Sequence, residues 1–151
     1  MERFKVFIGL EKTIIDDWHN GMLVNASRVR EFLAKQDITY FTVFSFAIRN
    51  EMDKLDFDKR HRQWLEKALD GIVLDVLSVQ DMVEADNKLT GIVWEQLDEF
   101  VSIRGKMGAF INWVNYHEMD HCILVDDLVS NISVIDHDRN RTTKFIKVGT
   151  L

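Results

Sequence analysis

The sequence predicts an α/β domain, with a mostly parallel sheet of about five strands and helices packed on both of its faces. Three observations point to it. Five short runs are dense in apolar, β-branched and aromatic residues, and four of them are nearly continuous, as strands covered on both faces require. Segments with apolar residues at helical spacing separate the runs. The 151 residues, 46% hydrophobic and 29% charged, have the size and balance of one ordinary domain, so 1–151 reads as a single unit.

In chain order, Phe4-Lys5-Val6-Phe7-Ile8 is the first strand and stops at Gly9. Asn25 or Ser27 then caps a helix carrying Val29, Phe32 and Leu33 at i, i+3, i+4. Thr39–Phe44 is the second strand and ends at Ser45. Trp64, Leu65, Ala68 and Leu69 form the stripe of another helix. Ile72–Leu77 follows Gly71 with a buried-strand composition interrupted by Asp75. Val93, Leu97, Phe100 and Val101 repeat at helical spacing after Thr90, a suitable cap, and Met107, Phe110, Ile111 and Val114 continue the pattern. Cys122–Val125 is a strand that stops at Asp126-Asp127, and Lys144–Val148 alternates as the last one. This alternation is that of a three-layer, Rossmann-like domain, in which ligands bind beyond the carboxyl ends of the strands.

Composition narrows the function. No run approaches 18 apolar residues, which predicts no membrane span, and MERFKVFIGLEK carries charges where a secretory leader needs an apolar core. A lone cysteine, Cys122, allows neither an internal disulfide nor a Cys-x-x-Cys site; a reducing, cytoplasmic location is expected. A net charge of −6 disfavours nucleic acid as a partner. No proline occurs where average usage predicts about seven, so turns rest on Gly, Asn and Asp, and no Pro-rich linker divides the chain. Charge is uneven: eight acids between Asp70 and Glu99 face the single base Lys88, whereas Arg139, Arg141, Lys144 and Lys147 make a basic end. These read as a solvated helical face and a solvated edge strand, or else as a docking surface for a protein partner.

The strand ends carry the chemistry. GLEKTIID follows the first strand, Ser45 ends the second, Lys106 opens the helix before the fourth, and Asp126-Asp127 ends the fourth. In this order and spacing the chain resembles the haloacid dehalogenase-like (HAD) phosphohydrolase superfamily from Phe4 to Val148. The family's first motif is a strand followed by D-x-D-x-[TV]; then come a strand ending in Ser or Thr, a Lys, and a strand ending in an acidic pair. CILVDDLVSN and KVFIGLEKTIID carry the resemblance most specifically. It implies an aspartyl nucleophile that also ligates Mg²⁺ and a second Asp as general acid and base. It also implies a hydroxyl and an ammonium on the phosphoryl oxygens, and an acidic pair completing the metal shell.

Laid onto this chain, the nucleophile position falls on Gly9, which has no side chain, and the acid/base position on Glu11. Thr13, Ser45 and Lys106 match the phosphate-binding positions, and Asp126 and Asp127 the metal-binding ones. The resemblance therefore implies the fold without its two-step turnover. About 25 residues between Thr13 and the second strand, and about 60 between Ser45 and Lys106, leave little room for a cap domain. The loop around Trp18 corresponds to the family's flap.

Each matching residue also has a plain explanation. Asp127 caps a turn, Ser45 ends a strand by bonding nearby backbone, and Lys106 is a solvated helical lysine. Gly9 supplies a positive φ or a close backbone approach.

Two functions follow. One is a HAD-like domain that binds a protein partner, or retains a phosphate or metal site, without turnover. The other is a Mg²⁺-dependent phosphohydrolase acting on a phosphorylated small molecule, with metal-bound water as nucleophile, Glu11 as base and Asp126 and Asp127 as ligands. A third motif, His117-Glu118-Met119-Asp120-His121, spells the zinc-protease H-E-x-x-H. The strand-like Cys122–Val125 directly after His121 denies it the continuous helix that both ligands need. His19 and His61 sit among polar neighbours and read as exposed, and the tryptophans fall mostly on helical stripes.

Overall fold

A computed structural model describes residues 4–151. Met1, Glu2 and Arg3, with which the charged N-terminal stretch opens, lie outside the described residues. Among the described residues the elements run β1 (Lys5–Ile8), α1 (Ala26–Lys35), β2 (Tyr40–Phe44), α2 (Glu51–Arg60), α3 (Arg62–Leu69) and β3 (Ile72–Leu77). There follow α4 (Val79–Thr90), α5 (Leu97–Tyr116), β4 (His121–Asp126), β5 (Ile132–Asp136) and β6 (Arg141–Lys147). A single 3₁₀ turn, Val148–Thr150, comes after β6.

The strands form one sheet in the order β3-β2-β1-β4-β6-β5, parallel except for β5, which pairs antiparallel with β6. The continuous apolar runs are divided by the pleat, because successive side chains leave a strand on opposite faces. Val6 and Ile8 of β1, Phe41 and Val43 of β2, and Ile123 and Val125 of β4 enter one core with Val29, Leu33, Phe57, Leu65 and Leu69 of α1, α2 and α3. Phe7, Phe44, Cys122 and Leu124 enter the other, with Val79 and Met82 of α4 and Phe100, Phe110 and Val114 of α5. The result is a three-layer, Rossmann-like α/β arrangement. No helix among the described residues is long and apolar enough to cross a membrane.

The sheet has six strands where about five were expected. The additional one, β5, is an edge strand with Ile132, Val134 and Ile135 largely exposed, so it lacks the unbroken apolar composition that marks a covered strand. Its presence moves β6, expected at the edge, into the sheet between β4 and β5. The helix α4 lies inside the acidic stretch. Its start is a capping box in which Ser78 Oγ accepts from the Asp81 N–H at 3.1 Å and Asp81 Oδ2 accepts from the Ser78 N–H at 2.9 Å. Thr90, expected to begin a helix, instead ends α4, and Gly91 follows in the left-handed conformation. Trp94 therefore lies in the connection between α4 and α5 rather than on a helical stripe. The helix α5 is broken at Gly105 (φ 68°, ψ 178°), and Lys106 opens its second segment.

Candidate functional site

The first turn after β1 positions Glu11 and Thr13. The Leu10 carbonyl accepts from the N–H groups of Thr13, Ile14 and Ile15 at 2.8–3.1 Å, with Lys12 at φ 60°, which winds the chain tightly. A hairpin-like excursion follows. Asp16 N–H donates to the Met22 carbonyl (2.8 Å), Val24 N–H to the Ile14 carbonyl (2.7 Å), and Ile15 bridges Leu23 antiparallel. The carboxylates of Asp16 and Asp17 accept the backbone N–H groups of Asp17, Met22, His19 and Asn20, which fixes the turn. The Asp17 N–H, with the Met22 N–H and the Asn20 side chain behind it, lowers the pKa of Asp16 below 3.8.

At the carboxyl edge of the sheet, the ends of β1 and β4 and the start of the second α5 segment bring Gly9, Thr13, Lys106 and Asp126 together, and Ser45 follows Phe44, whose carbonyl Lys106 holds. Thr13 Oγ1 donates to Asp126 Oδ1 at 2.7 Å and accepts from the Asp127 N–H at 3.1 Å. Asp126 Oδ2 pairs with Lys106 Nζ at 3.1 Å. Lys106 Nζ also donates to the Phe44 carbonyl at 3.0 Å and lies 4.3 and 4.8 Å from the ring centroids of Phe44 and Phe46. Lys106 is 6% and Asp126 1% exposed, so the pair is an interior one and the lysine is not solvated. Burial pulls the ammonium's pKa down, and Asp126, then Asp127 and Glu11, oppose the shift. Asp127 is raised above 3.8, first by burial and then by its neighbour Asp126.

Gly9 does not serve the turn through a positive φ, since Gly21, Gly91 and Gly105 are the glycines that adopt one. Nor is it backbone that a Cβ at this position would meet. A Cβ built on Gly9 would stand 2.3 Å from Asp126 Oδ1 and 3.1 Å from Thr13 Oγ1. The carboxylate of Asp126 thus occupies the space where a side chain at position 9 would project.

The remaining expected residues are also committed. Ser45 is buried, and its Oγ accepts the Ala47 N–H at 3.2 Å, closing the turn after β2. Glu11 Oε2 accepts the Trp18 N–H at 2.7 Å, tying the hairpin to the β1 turn. A Mg²⁺ ion needs several hard oxygens converging on one point. Gly9 offers none, and both Asp126 oxygens face donors from Thr13 and Lys106. No group of three or more His, Cys, Asp or Glu among the described residues is arranged to hold a metal ion. The residues present do not fit the ion that the resemblance implies. The H-E-x-x-H stretch falls apart for the reason expected: His117 is the C-cap of α5, Glu118 turns the chain at φ 54°, and His121 begins β4.

Two buried polar centres escaped sequence reasoning. Asp86, fully buried, accepts from Trp94 Nε1 (2.8 Å), Arg104 Nε (2.9 Å) and Asn112 Nδ2 (2.6 Å), joining α4 to α5 and the connection between them. Burial acts to raise its pKa, and these donors outweigh it and lower it. The signal was its phase, since it lies on the stripe of Val79 and Met82. His61, expected to be exposed, is 5% exposed among Trp18, Phe57 and Trp64. It too is in phase with apolar neighbours, Phe57 before it and Leu65 after it. Cavities of about 260 and 270 Å³ share Asp75, Leu77 and Trp113 in their walls, and neither is lined by Gly9, Thr13, Ser45, Lys106 or Asp126.

Comparison of the chain with protein-family models, with curated proteins and with solved structures finds no match.

Proposed function

We propose that the protein is a HAD-like domain that has given up phosphoryl transfer and acts by binding a protein partner. The observation that carries this reading is the filling of the position-9 space by Asp126. A phosphoryl group or a metal ion at this point would have to displace a carboxylate that already holds both Lys106 and Thr13. The ammonium that would stabilise transferring phosphoryl oxygens is neutralised from within the chain. The resemblance itself is supported by the convergence of Gly9, Thr13, Ser45, Lys106 and Asp126 at one edge of a mostly parallel sheet, with a hairpin beside them.

The phosphohydrolase alternative needs Glu11 free as a base and Asp126 free as a ligand. The first holds the Trp18 N–H and the second the Lys106 ammonium. A partner-binding role asks nothing of these groups beyond a rigid sheet edge. The test is turnover by the full chain across a panel of phosphomonoesters with Mg²⁺. The reading expects no phosphate release, and none from Gly9→Asp, because an aspartate there meets Asp126. Mg²⁺-dependent release that disappears in Asp126→Asn would overturn it in favour of the enzyme.

A further inference from the structure

His61 stands at the junction of α2 and α3, where the interior stripe of Phe57 and Leu65 passes under the hairpin that follows β1. Its ring centroid lies 4.7 Å from Trp18, 5.6 Å from Trp64 and 6.3 Å from Phe57, and both tryptophans meet it edge to face. The turn of the hairpin rests on the same ring: a Cβ at Gly21 would lie 3.6 Å from His61 Cε1. Neither ring nitrogen closes a well-formed hydrogen bond, and the nearest polar group the ring meets is the Trp18 backbone, a sparse set for a buried imidazole.

The base of the hairpin is anchored through Ile15, which is buried in the core and bridges Glu11, while its turn is also tied to the body by the Trp18 N–H on Glu11 and Trp18 Nε1 on Asp56 Oδ2 at 3.2 Å. The charged groups facing the ring are Asp56 and Arg60 of α2, while Arg62 of α3 turns away to Asp58 and the Val73 carbonyl. From the hairpin, the Trp18 backbone faces it, and the carboxylates of Asp16 and Asp17 are held by the hairpin's own N–H groups.

We propose that His61 is a proton-operated latch: as the neutral imidazole it fills the aromatic pocket and holds the hairpin down, and on protonation it leaves the pocket and frees the hairpin. A neutral ring is an acceptable filling for a pocket of two indoles and a phenyl ring, whereas an imidazolium brings a charge with too few partners. Burial, with Arg60 adding to it, lowers the His61 pKa below 6.5, and Asp56 and the Trp18 backbone act in the other direction. The sign follows. The open hairpin binds a proton near pH 6.5 and the closed one resists it, so the closed form is favoured above that pH and loses ground as pH falls below it. The opening equilibrium can grow by at most about tenfold per pH unit for one proton, until the closed form also protonates.

The experiment follows hydrogen exchange of the hairpin amides between about pH 8 and about pH 5 in the full chain, corrected for intrinsic exchange, beside tryptophan fluorescence. The wild type should show hairpin opening that rises severalfold below pH 6.5. His61→Phe, which keeps the ring and loses the proton, should stay flat. An equal rise in His61→Phe would assign the effect to carboxylates and overturn the latch.

Should that variant fail to fold, an NMR titration of the wild-type ring decides. The expected result is a His61 pKa below 6.5 with the hairpin amide shifts following the same curve. Titration at or above 6.5, or hairpin signals that ignore it, would contradict the proposal.

Discussion

Lys106 and Asp126 are tolerable in the interior only because each answers the other. Two buried charges that share an ion pair and further hydrogen bonds come close to breaking even, but removing one strands its partner. Lys106→Met is therefore expected to cost about 3–5 kcal/mol in denaturant unfolding, and Lys106→Met with Asp126→Leu to recover most of that loss. If the double variant is as unstable as the single, the pair is not the unit described here.

Gly9 belongs to the same unit. With its Cβ 2.3 Å from Asp126 Oδ1, Gly9→Ala must push the carboxylate off Lys106 and Thr13. The cost should be of the same order, about 3 kcal/mol, although alanine adds one methyl group. A neutral effect of Gly9→Ala would show that the space is free. Asp127 offers a pH test. Its pKa is raised in the folded chain above 3.8, so its charged form opposes folding, and stability falls as pH rises through that raised value. Asp127→Asn should raise the melting temperature at neutral pH and have no such effect below pH 3.8, measured by scanning calorimetry.

Among the elements, those visible in the sequence were the ones whose burial is decisive. β1, β2 and β4 are covered on both faces beyond their first residues, so most of their positions had to be apolar and the runs stood out. The elements that were obscure have weak or divided signals. α2 buries one side chain, Phe57, and β5 buries none. α4 was hidden by the acids around it, yet it opens with Ser78-x-x-Asp81 beside the buried Val79 and Met82, a start signal with a physical basis. Ser78→Ala should cost about 1 kcal/mol by removing that cap. Asp86→Ala should cost about 3–5 kcal/mol, because Arg104 loses its buried partner and the donors of Trp94 and Asn112 lose their acceptor. Both are checked by denaturant unfolding, and a small loss for Asp86→Ala would mean that α4 and α5 are held together without it.

At the scale of the whole molecule, the residues of the candidate site were legible and their relations were not. Gly9, Thr13, Ser45, Lys106 and Asp126 could be chosen because strand ends in a parallel sheet converge, whatever the side chains do there. That Asp126 would lean into the space beside Gly9, and that Glu11 would turn to the Trp18 N–H, depends on side-chain directions that no spacing records. His61 shows the reverse case: its phase with Phe57 and Leu65 was legible, and the polar residues beside it in the chain masked it.

The charges of the acidic stretch, exposed and buried alike, follow the same logic. Several acids of the 70–99 stretch are answered locally, Asp81 by Lys54, Asp98 by Arg49 and Asp86 by Arg104. The central claim is that the strand-end site is filled by the chain's own carboxylate. A ligand that binds the folded form alone must raise its melting temperature by mass action. The most direct measurement is therefore the melting temperature of the full chain with and without millimolar Mg²⁺ and inorganic phosphate, alone and together. The account predicts no shift beyond that of an equal ionic strength of sodium chloride. A saturable rise that is lost in Lys106→Met or Asp126→Asn would contradict it.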